Sequence, residues 1–275
     1  MQFYSHEDVQ AFASVKFLYI KTSLSGYIFT VTLSRPEKRN AFTPTMAEEI
    51  IYALAYAHYN SEIRCVIIDA QGSVFCAGAD LNAFHDPSFD RKNDTLPKIK
   101  GDLTLGDAFI ALSKPAIAKV EGPVLAGGFL MICGVTFVYS TTNATFSLPE
   151  VKRGIWPMQV MASLMHIIPN RKVLEMAITG EEYTATEAYE LGLVTRISEE
   201  GQIGEEVNAL AEQICGNAPY AIKSGIAAFH KLKDITERER HTYLKEQLKL
   251  LLQTADAKEG ALSFKEKRSP NWKGN

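Results

Sequence analysis

No uninterrupted apolar run in this sequence reaches the ~18 residues a bilayer-spanning helix requires, so no membrane span is expected. Cysteine is sparse. Cys65, Cys76, Cys133 and Cys215 are the whole set, and none stands in a CxxC or Cys/His spacing. That pattern excludes a disulfide framework and points to buried free thiols in a reducing compartment. The histidines at 58, 85, 166, 230 and 241 also lack ligand spacing, so no metal is assigned. An excess of one charge is missing too: 29 Lys/Arg against 32 Asp/Glu leave a net charge of −3. Nothing there recommends nucleic acid or an anionic membrane surface as a partner. The N-terminal stretch has no basic-then-apolar leader pattern, and Glu7-Asp8 argues against a transit peptide. A cytoplasmic location is the expectation. Gly/Ser linkers, Pro-rich runs and internal repeats are absent as well.

What is present suits a core-forming α/β protein, with 46% hydrophobic and 22% charged residues over 275 positions. Residues 1–15 read as a loosely docked lead-in. Phe17–Ile20 and Tyr27–Leu33 read as strands of a hairpin turning at Ser25-Gly26. Thr43-Pro44 supplies an N-cap and a first-turn proline for a helix over about 45–59. Arg64–Ala70 and Ala116–Val120 are continuous apolar strands, with a helix over Leu103–Leu112 between them. Thr136–Tyr139 and Thr145–Ser147 read as short strands, and Asn82–Lys100 as a mobile loop. Strand and helix alternate, which argues for stacked βαβ-type units. From Met161 the pattern turns helical: 161–167, 171–178, 185–191, 204–216, 218–231 and 236–252. A composition shift divides the chain into a core of residues 1–200 and a helical region of residues 201–275. The last long helix carries an apolar stripe, Leu244, Leu248 and Leu251.

Two turns draw attention. Ala118–Gly134 runs from a strand through Gly122, Gly127 and Gly128 into the apolar Phe129–Cys133. A glycine-rich turn that opens a helix presents free backbone N–H groups, a place to hold developing negative charge. Val74–Leu81 forms a second small-residue turn after another apolar strand. Two such turns can each aim one N–H at a single oxygen.

The ordered motifs resemble the enoyl-CoA hydratase/isomerase family, the crotonase superfamily, over about residues 17–270. Arg35–Phe42 is similar to its N-terminal motif, Phe75–Leu81 and Ala126-Gly127-Gly128 to its two oxyanion-hole segments, and Leu148–Val151 to its acidic segment. Thr179-Gly180-Glu181, Glu187-Ala188 and Gly192–Val194 resemble the link to the C-terminal helices, and Ala257–Gly260 with Phe264–Arg268 the tail. The resemblance implies an α/β fold, a crotonase-like spiral of ββα units with a helical C-terminal trimerisation part. It implies a trimer, or a hexamer built as a dimer of trimers. The implied substrate is an acyl-CoA thioester whose carbonyl oxygen accepts the N–H groups of Ala79 and Gly127, with coenzyme A present only as part of that substrate. Coenzyme A contacts fall by position on Lys38, Ala77, Asp80 and Leu81, with Lys267 reaching a neighbouring subunit's ligand.

One position departs from the hydratase pattern. Hydratases of the family carry two glutamates, one of them three residues after the oxyanion glycine. Here that residue is Leu130, while Glu150 fills the second place. A single carboxylate can move a proton from one carbon of an enoyl thioester to another and needs no bound water, so the favoured activity is double-bond isomerisation with Glu150 as acid/base. Apolar neighbours such as Leu130 and Trp156 are expected to raise its pKa. Asp80, Asp86, Asp90 and Glu121 are the acids that could restore hydration. Met158 stands where dienoyl isomerases of the family hold an aspartate, which disfavours that reaction. Trp156-Pro157-Met158 would reshape the acyl pocket. The alternatives are hydration, thioester hydrolysis or decarboxylation, and a non-catalytic CoA-ester-binding protein. RNA binding through a lysine-rich helix finds no support in Met46–Ala53, which has two acids and no lysine.

Overall fold

The computed structural model describes residues 1–275. Strands β1 (Ile20–Ser25) and β2 (Ile28–Leu33) pair antiparallel and turn through Gly26-Tyr27, with Gly26 in the left-handed region at φ +56°. Helix α1 (Pro44–Tyr59) then crosses back to β3 (Cys65–Ala70), which pairs parallel to β2. Two short helices follow, α2 (Leu81–His85) and α3 (Leu105–Ile110), before β4 (Ala116–Val120). Next come β5 (Val124–Leu125), α4 (Phe129–Gly134), β6 (Phe137–Thr141) and β7 (Thr145–Ser147). Helices α5 (Met158–Leu164) and α6 (Asn170–Thr179), strand β8 (Glu182–Thr184), helix α7 (Ala185–Glu190) and strand β9 (Arg196–Ser198) complete the strand-bearing part. Four helices close the chain: α8 (Ile203–Cys215), α9 (Pro219–Lys231), α10 (Glu237–Leu251) and α11 (Ala255–Glu266). None of the helices is long and apolar enough to cross a membrane.

The main sheet has the order β1-β2-β3-β4-β6-β9, parallel everywhere except β1–β2. Its central strands are apolar on both sides because both faces are covered. Val66, Ile68, Ala116 and Ala118 join the large core that includes α1. Cys65, Ile67, Ile117 and Tyr139 face the other way, onto Ile203, Val207, Ala211 and Ile214 of α8. Those four α8 residues follow the helical period, so the first helix of the 201–275 region packs directly on the sheet. The α10 helix buries none of its residues, and Leu244 and Leu248 of its stripe are exposed while Leu251 is half-buried. A second, small sheet, β5-β7-β8, stands beside the first.

The structure corrects several expectations. The first strand begins at Ile20 rather than Phe17. The amides of Leu18 and Tyr19 are taken by the buried Glu49 carboxylate, at 2.7 and 2.9 Å, and cannot join a ladder. Residues 1–15 are docked, not loose: Phe3 and Tyr4 are fully buried, and Tyr4 meets Tyr52 edge to face. The 82–100 stretch holds most of α2 and a single 3-10 turn at Pro87–Phe89, and Asn93 ties it to Glu49 at 2.6 Å. Cys133 is half-buried, unlike the other three thiols. The expected helix at 161–167 starts at Met158, and the tail motif at 257–268 lies largely in α11, capped by Thr254.

The turn after β2 is held by Asn40. Its side chain is fully buried, its backbone is left-handed at φ +52°, and it makes three bonds. Oδ1 accepts the Arg35 N–H at 2.9 Å, and Nδ2 donates to the Gln71 and Val74 carbonyls at 2.8 Å each. Asn40 thus ties the 35–41 turn to the stretch that leads into Phe75–Leu81. Asn40→Ala leaves three backbone groups without a partner and is expected to cost about 2–4 kcal/mol, read as a lower urea midpoint at unchanged slope.

Candidate active site

Two backbone amides are brought together by a bridge and two glycines. Phe42 forms an isolated parallel bridge with Ala79: its N–H donates to the Gly78 carbonyl, and its own carbonyl accepts the Asp80 N–H. In that pattern Ala79 contributes neither of its own polar groups, so its N–H points to the opposite side, where no protein acceptor meets it. Gly78 adopts φ +89°, and a Cβ there would lie 2.7 Å from Ala126 Cβ and 3.0 Å from Gly127 N. A Cβ on Gly127 would lie 3.0 Å from the Phe42 ring and 3.4 Å from Ala79 N. Only glycine permits this approach at Gly78, and a side chain at Gly127 would press on the Phe42 ring. Ala126 is left-handed at φ +51°, a strained state for a residue with a Cβ, and it directs the chain into the turn that begins α4. Ala79 and Gly127 thereby present adjacent amides, as the two turns of the sequence suggest.

Glu150 reaches this place through strand pairing. β5 and β7 run parallel with Leu125 opposite Ser147, so Ala126-Gly127 and Pro149-Glu150 leave the same edge of the small sheet side by side. Pro149 and Ala79 line one cleft. Glu150 sits in a 3-10 turn, Pro149–Arg153, that ends at left-handed Gly154. The residue is 7% exposed, and its Oε2 is buried without any hydrogen-bond partner. Loss of solvent pushes the carboxyl above the ordinary glutamate range, and its own backbone N–H and the charge of Arg153 offset this only in part. An unpaired buried carboxylate oxygen is costly, which makes it a strong proton acceptor.

The acids singled out from the sequence each hold at least one other partner. Leu130 is 4% exposed, and its Cδ2 faces Gly106 on α3. Asp80 binds Arg35 at 2.8 Å and caps α2 through the Ala83 N–H. Partial burial would raise its pKa, yet the Arg35 hydrogen bond and the cap hold it below the usual range. Asp86 accepts the Ser88 N–H, Asp90 accepts the Thr45 N–H through Oδ2 while its Oδ1 is buried without a partner, and Glu121 pairs with Lys119 at 2.7 Å.

Beside the amide pair lies a cleft of about 580 Å³, lined by Lys38, Ala77, Ala79, Asp80 and Leu81 as the sequence suggests. It also takes Arg35, Arg39 and Arg153, which motif position alone did not single out. The available signal was their charge: two flank Lys38 closely, and Arg153 follows Glu150 by three residues. Lys38, Arg39 and Arg153 are exposed, and none of them forms an ion pair within the protein. The Asp80 side chain serves Arg35 and the cap, which leaves its backbone as the group available to a ligand. Gly127, Leu130, Glu150 and Trp156 are not among the cleft's walls, although Leu125, Pro149 and Arg153 beside Gly127 and Glu150 are; Leu130 is core, and Trp156 packs half-buried against the core. Lys267 is exposed at the end of α11 with φ +53°, away from this cleft.

A family model described as enoyl-CoA hydratase/isomerase matches residues 24–275. The enoyl-CoA hydratase EchA19 of Mycobacterium tuberculosis is 32% identical over 251 residues, which span 90% of this chain and 93% of that protein. Carnitinyl-CoA dehydratase of Escherichia coli K12 is 32% identical over 256 residues, spanning 91% and 96%. A crystal structure of an enoyl-CoA hydratase/isomerase from Mycobacterium paratuberculosis superposes with a TM-score of 0.84 at 27% identity, covering 94% of this chain and 100% of that one.

The raised pKa of Glu150 has a measurable sign. The folded chain binds this proton more tightly than the unfolded chain does. Its stabilising contribution is complete below the ordinary glutamate value of about 4.3 and is lost as pH rises through the raised value. Glu150→Gln does not titrate, so its stability relative to the parent is expected to increase from about pH 4 to about pH 8. Thermal midpoints of both proteins across that range check this; a flat difference would show that burial does not shift the carboxyl.

Proposed function

The chain belongs to the enoyl-CoA hydratase/isomerase family, and on that premise we propose that it isomerises the double bond of an enoyl-CoA thioester with Glu150 as its single acid/base. The observation that carries this reading is the buried Glu150 carboxylate with its unpartnered Oε2, together with leucine rather than an acid at position 130. In this mechanism the thioester carbonyl oxygen accepts the Ala79 and Gly127 N–H groups. Glu150 removes a proton from C2 of a 3-enoyl thioester, and the electron pair spreads into a dienolate whose charge rests on that oxygen. The protonated Glu150 then returns the proton at C4, which leaves the 2-enoyl thioester and regenerates the carboxylate. No water enters. Preorganised amides act where the charge develops, and loss of one such donor costs roughly 10²–10³ in rate.

Coenzyme A enters only as part of the substrate, its phosphates resting against Lys38, Arg39 and Arg153 and its adenine side against the Ala77 and Asp80-Leu81 backbone. The exposed leucines of α10 and the α9–α11 helices supply the contacts of a homotrimer or of a dimer of trimers, in which Lys267 extends toward a neighbour's ligand. A cytoplasmic enzyme with no nucleic-acid or membrane partner completes the reading.

Hydration is the second reading, favoured by the names of the relatives, among them a hydratase and a dehydratase. It requires a second group to position water, and of the acids Asp80, Asp86, Asp90 and Glu121 only Asp90 keeps a buried oxygen without a partner. Purified protein offered a 3-enoyl-CoA and, separately, crotonyl-CoA distinguishes the two. Isomerisation is expected to dominate and to fall about 10²–10⁴-fold in Glu150→Gln. Leu130→Glu is expected to add hydration by supplying the missing carboxylate on the same helix. Efficient hydration by the parent would overturn the single-base reading, and binding of both esters without turnover would make the chain a thioester-binding protein.

A further inference from the structure

A second cationic cavity lies well away from Glu150, at the opposite end of the main sheet. Parallel strands share direction, so Phe42–Ala79, Ala126-Gly127 and the 580 Å³ cleft gather beyond the strands' C-terminal ends. The second cavity, of about 280 Å³, opens where β3 and β4 begin, at Arg64 and Pro115. Its walls also come from the end of α1, the start of α9 and the C-terminal tail.

Four cations line it: Arg64, Lys114, Lys223 and Lys273. None makes an ion pair with any carboxylate of the protein. The one acid on the wall, Glu62, is exposed and equally unpaired. Lys114 is the most enclosed: its ammonium donates to the Asn60 carbonyl, and burial together with the nearby Lys223 charge pulls it down to about 7. The same two lysines bear on His58, which burial, the N-terminal ammonium and then their charge hold at about 4. These groups repel one another, and none of them is paired with a protein carboxylate.

The cavity is also built. Arg64 stacks on Tyr27, with its guanidinium carbon 3.8 Å from the ring centroid, and donates to the Cys215 carbonyl at 3.0 Å. The tail is clamped beside it by Asp256, which is 1% exposed. Its Oδ1 accepts the Lys273 and Gly274 N–H groups at 2.8 and 3.0 Å, and its Oδ2 accepts Tyr220 N–H at 3.3 Å. Trp272 Nε1 donates to the Gly216 carbonyl at 2.8 Å. Lys273 is thereby held against the cavity wall, while the hydroxyls of Ser113, Tyr59 and Tyr220 lie around the same space.

From this arrangement we infer that the cavity formed by Arg64, Lys114, Lys223 and Lys273 is a binding site for a compact phosphate-class anion. Charge sets the sign of the ligand, since guanidinium and ammonium groups converge and only one carboxylate faces them. Size sets its bulk, because 280 Å³ falls below the ~300 Å³ at which pockets begin to take drug-sized ligands. Phosphate or pyrophosphate fits; a whole nucleotide does not. Occupancy bridges α1, the sheet, α9 and the tail, so the ligand stabilises the attachment of the C-terminal helices.

Calorimetric titration of inorganic pyrophosphate into the full chain tests this, with the other cleft disabled by Arg39→Ser and Arg153→Ser. One saturable site is expected to remain, and adding Lys223→Gln with Lys273→Gln is expected to weaken it at least about tenfold. Both lysines are exposed, so the fold tolerates their loss. Pyrophosphate is expected to raise the thermal midpoint of the parent and not that of the lysine variant. Equal binding with and without the two lysines would overturn the assignment, as would the lack of saturable binding up to about 10 mM. ADP that binds at least about tenfold tighter than pyrophosphate would overturn the restriction to a compact anion.

Discussion

The parallel bridge between Phe42 and Ala79 is the contact on which the site geometry depends. It is a pair of backbone hydrogen bonds, and it needs two remote segments: the turn that precedes α1 and the turn that follows β3. Phe42 uses the groups of residues 78 and 80, which forces the Ala79 N–H to face the other way. The same Phe42 ring sits against Gly127, so one residue fixes one amide and borders the other. Asn40, two residues earlier, ties this turn to the 71–74 stretch through buried bonds. In the proposed reaction, amides held so firmly would meet a developing oxyanion without reorganising, which is where electrostatic catalysis derives its advantage.

The site carries its cost openly. Ala126 holds a left-handed backbone, Gly78 excludes any larger residue, Gly127 leaves little room beside the Phe42 ring, and Glu150 keeps a buried oxygen with no partner. Each of these opposes folding, and each is placed at the edge of the small sheet rather than in the main core. Stability comes from elsewhere. The six-stranded sheet is sandwiched between α1 on one side and α8 on the other, and Glu49 staples the N-terminal segment to α1 with charge-assisted bonds. A rigid sheet with a strained rim allows exposed cations to gather at both of its ends without loss of the fold.

Much of this was legible in advance, and the misses have physical causes. The β3 and β4 runs were readable because strands buried on both faces must be apolar throughout. The α1 start was readable because Thr43 and Pro44 meet the chemistry of a helix N-terminus. The start of β1 was misplaced because a buried glutamate thirty residues away takes the amides of Leu18 and Tyr19. The lead-in was misjudged because Phe3 and Tyr4 find their partners on α1, a contact that local pattern does not encode. Three-residue strands such as β8 and β9 carry too few positions for any period to show.

Residue type and order alone determined that two small-residue turns follow apolar strands, that position 130 is a leucine and that Glu150 follows Pro149; the family resemblance adds that hydratases carry an acid where Leu130 stands. Those are properties of side-chain chemistry and spacing, which the chain carries whether folded or not. Only the tertiary structure decided that Ala79 N–H is turned outward, that Glu150 is stripped of solvent, and that Asp80, Asp86, Asp90 and Glu121 each hold another partner. It also decided that Arg64, Lys114, Lys223 and Lys273, scattered over more than 200 positions, share one cavity. Solvent exclusion and counter-charge are set by what packs nearby in space, and no linear spacing specifies them.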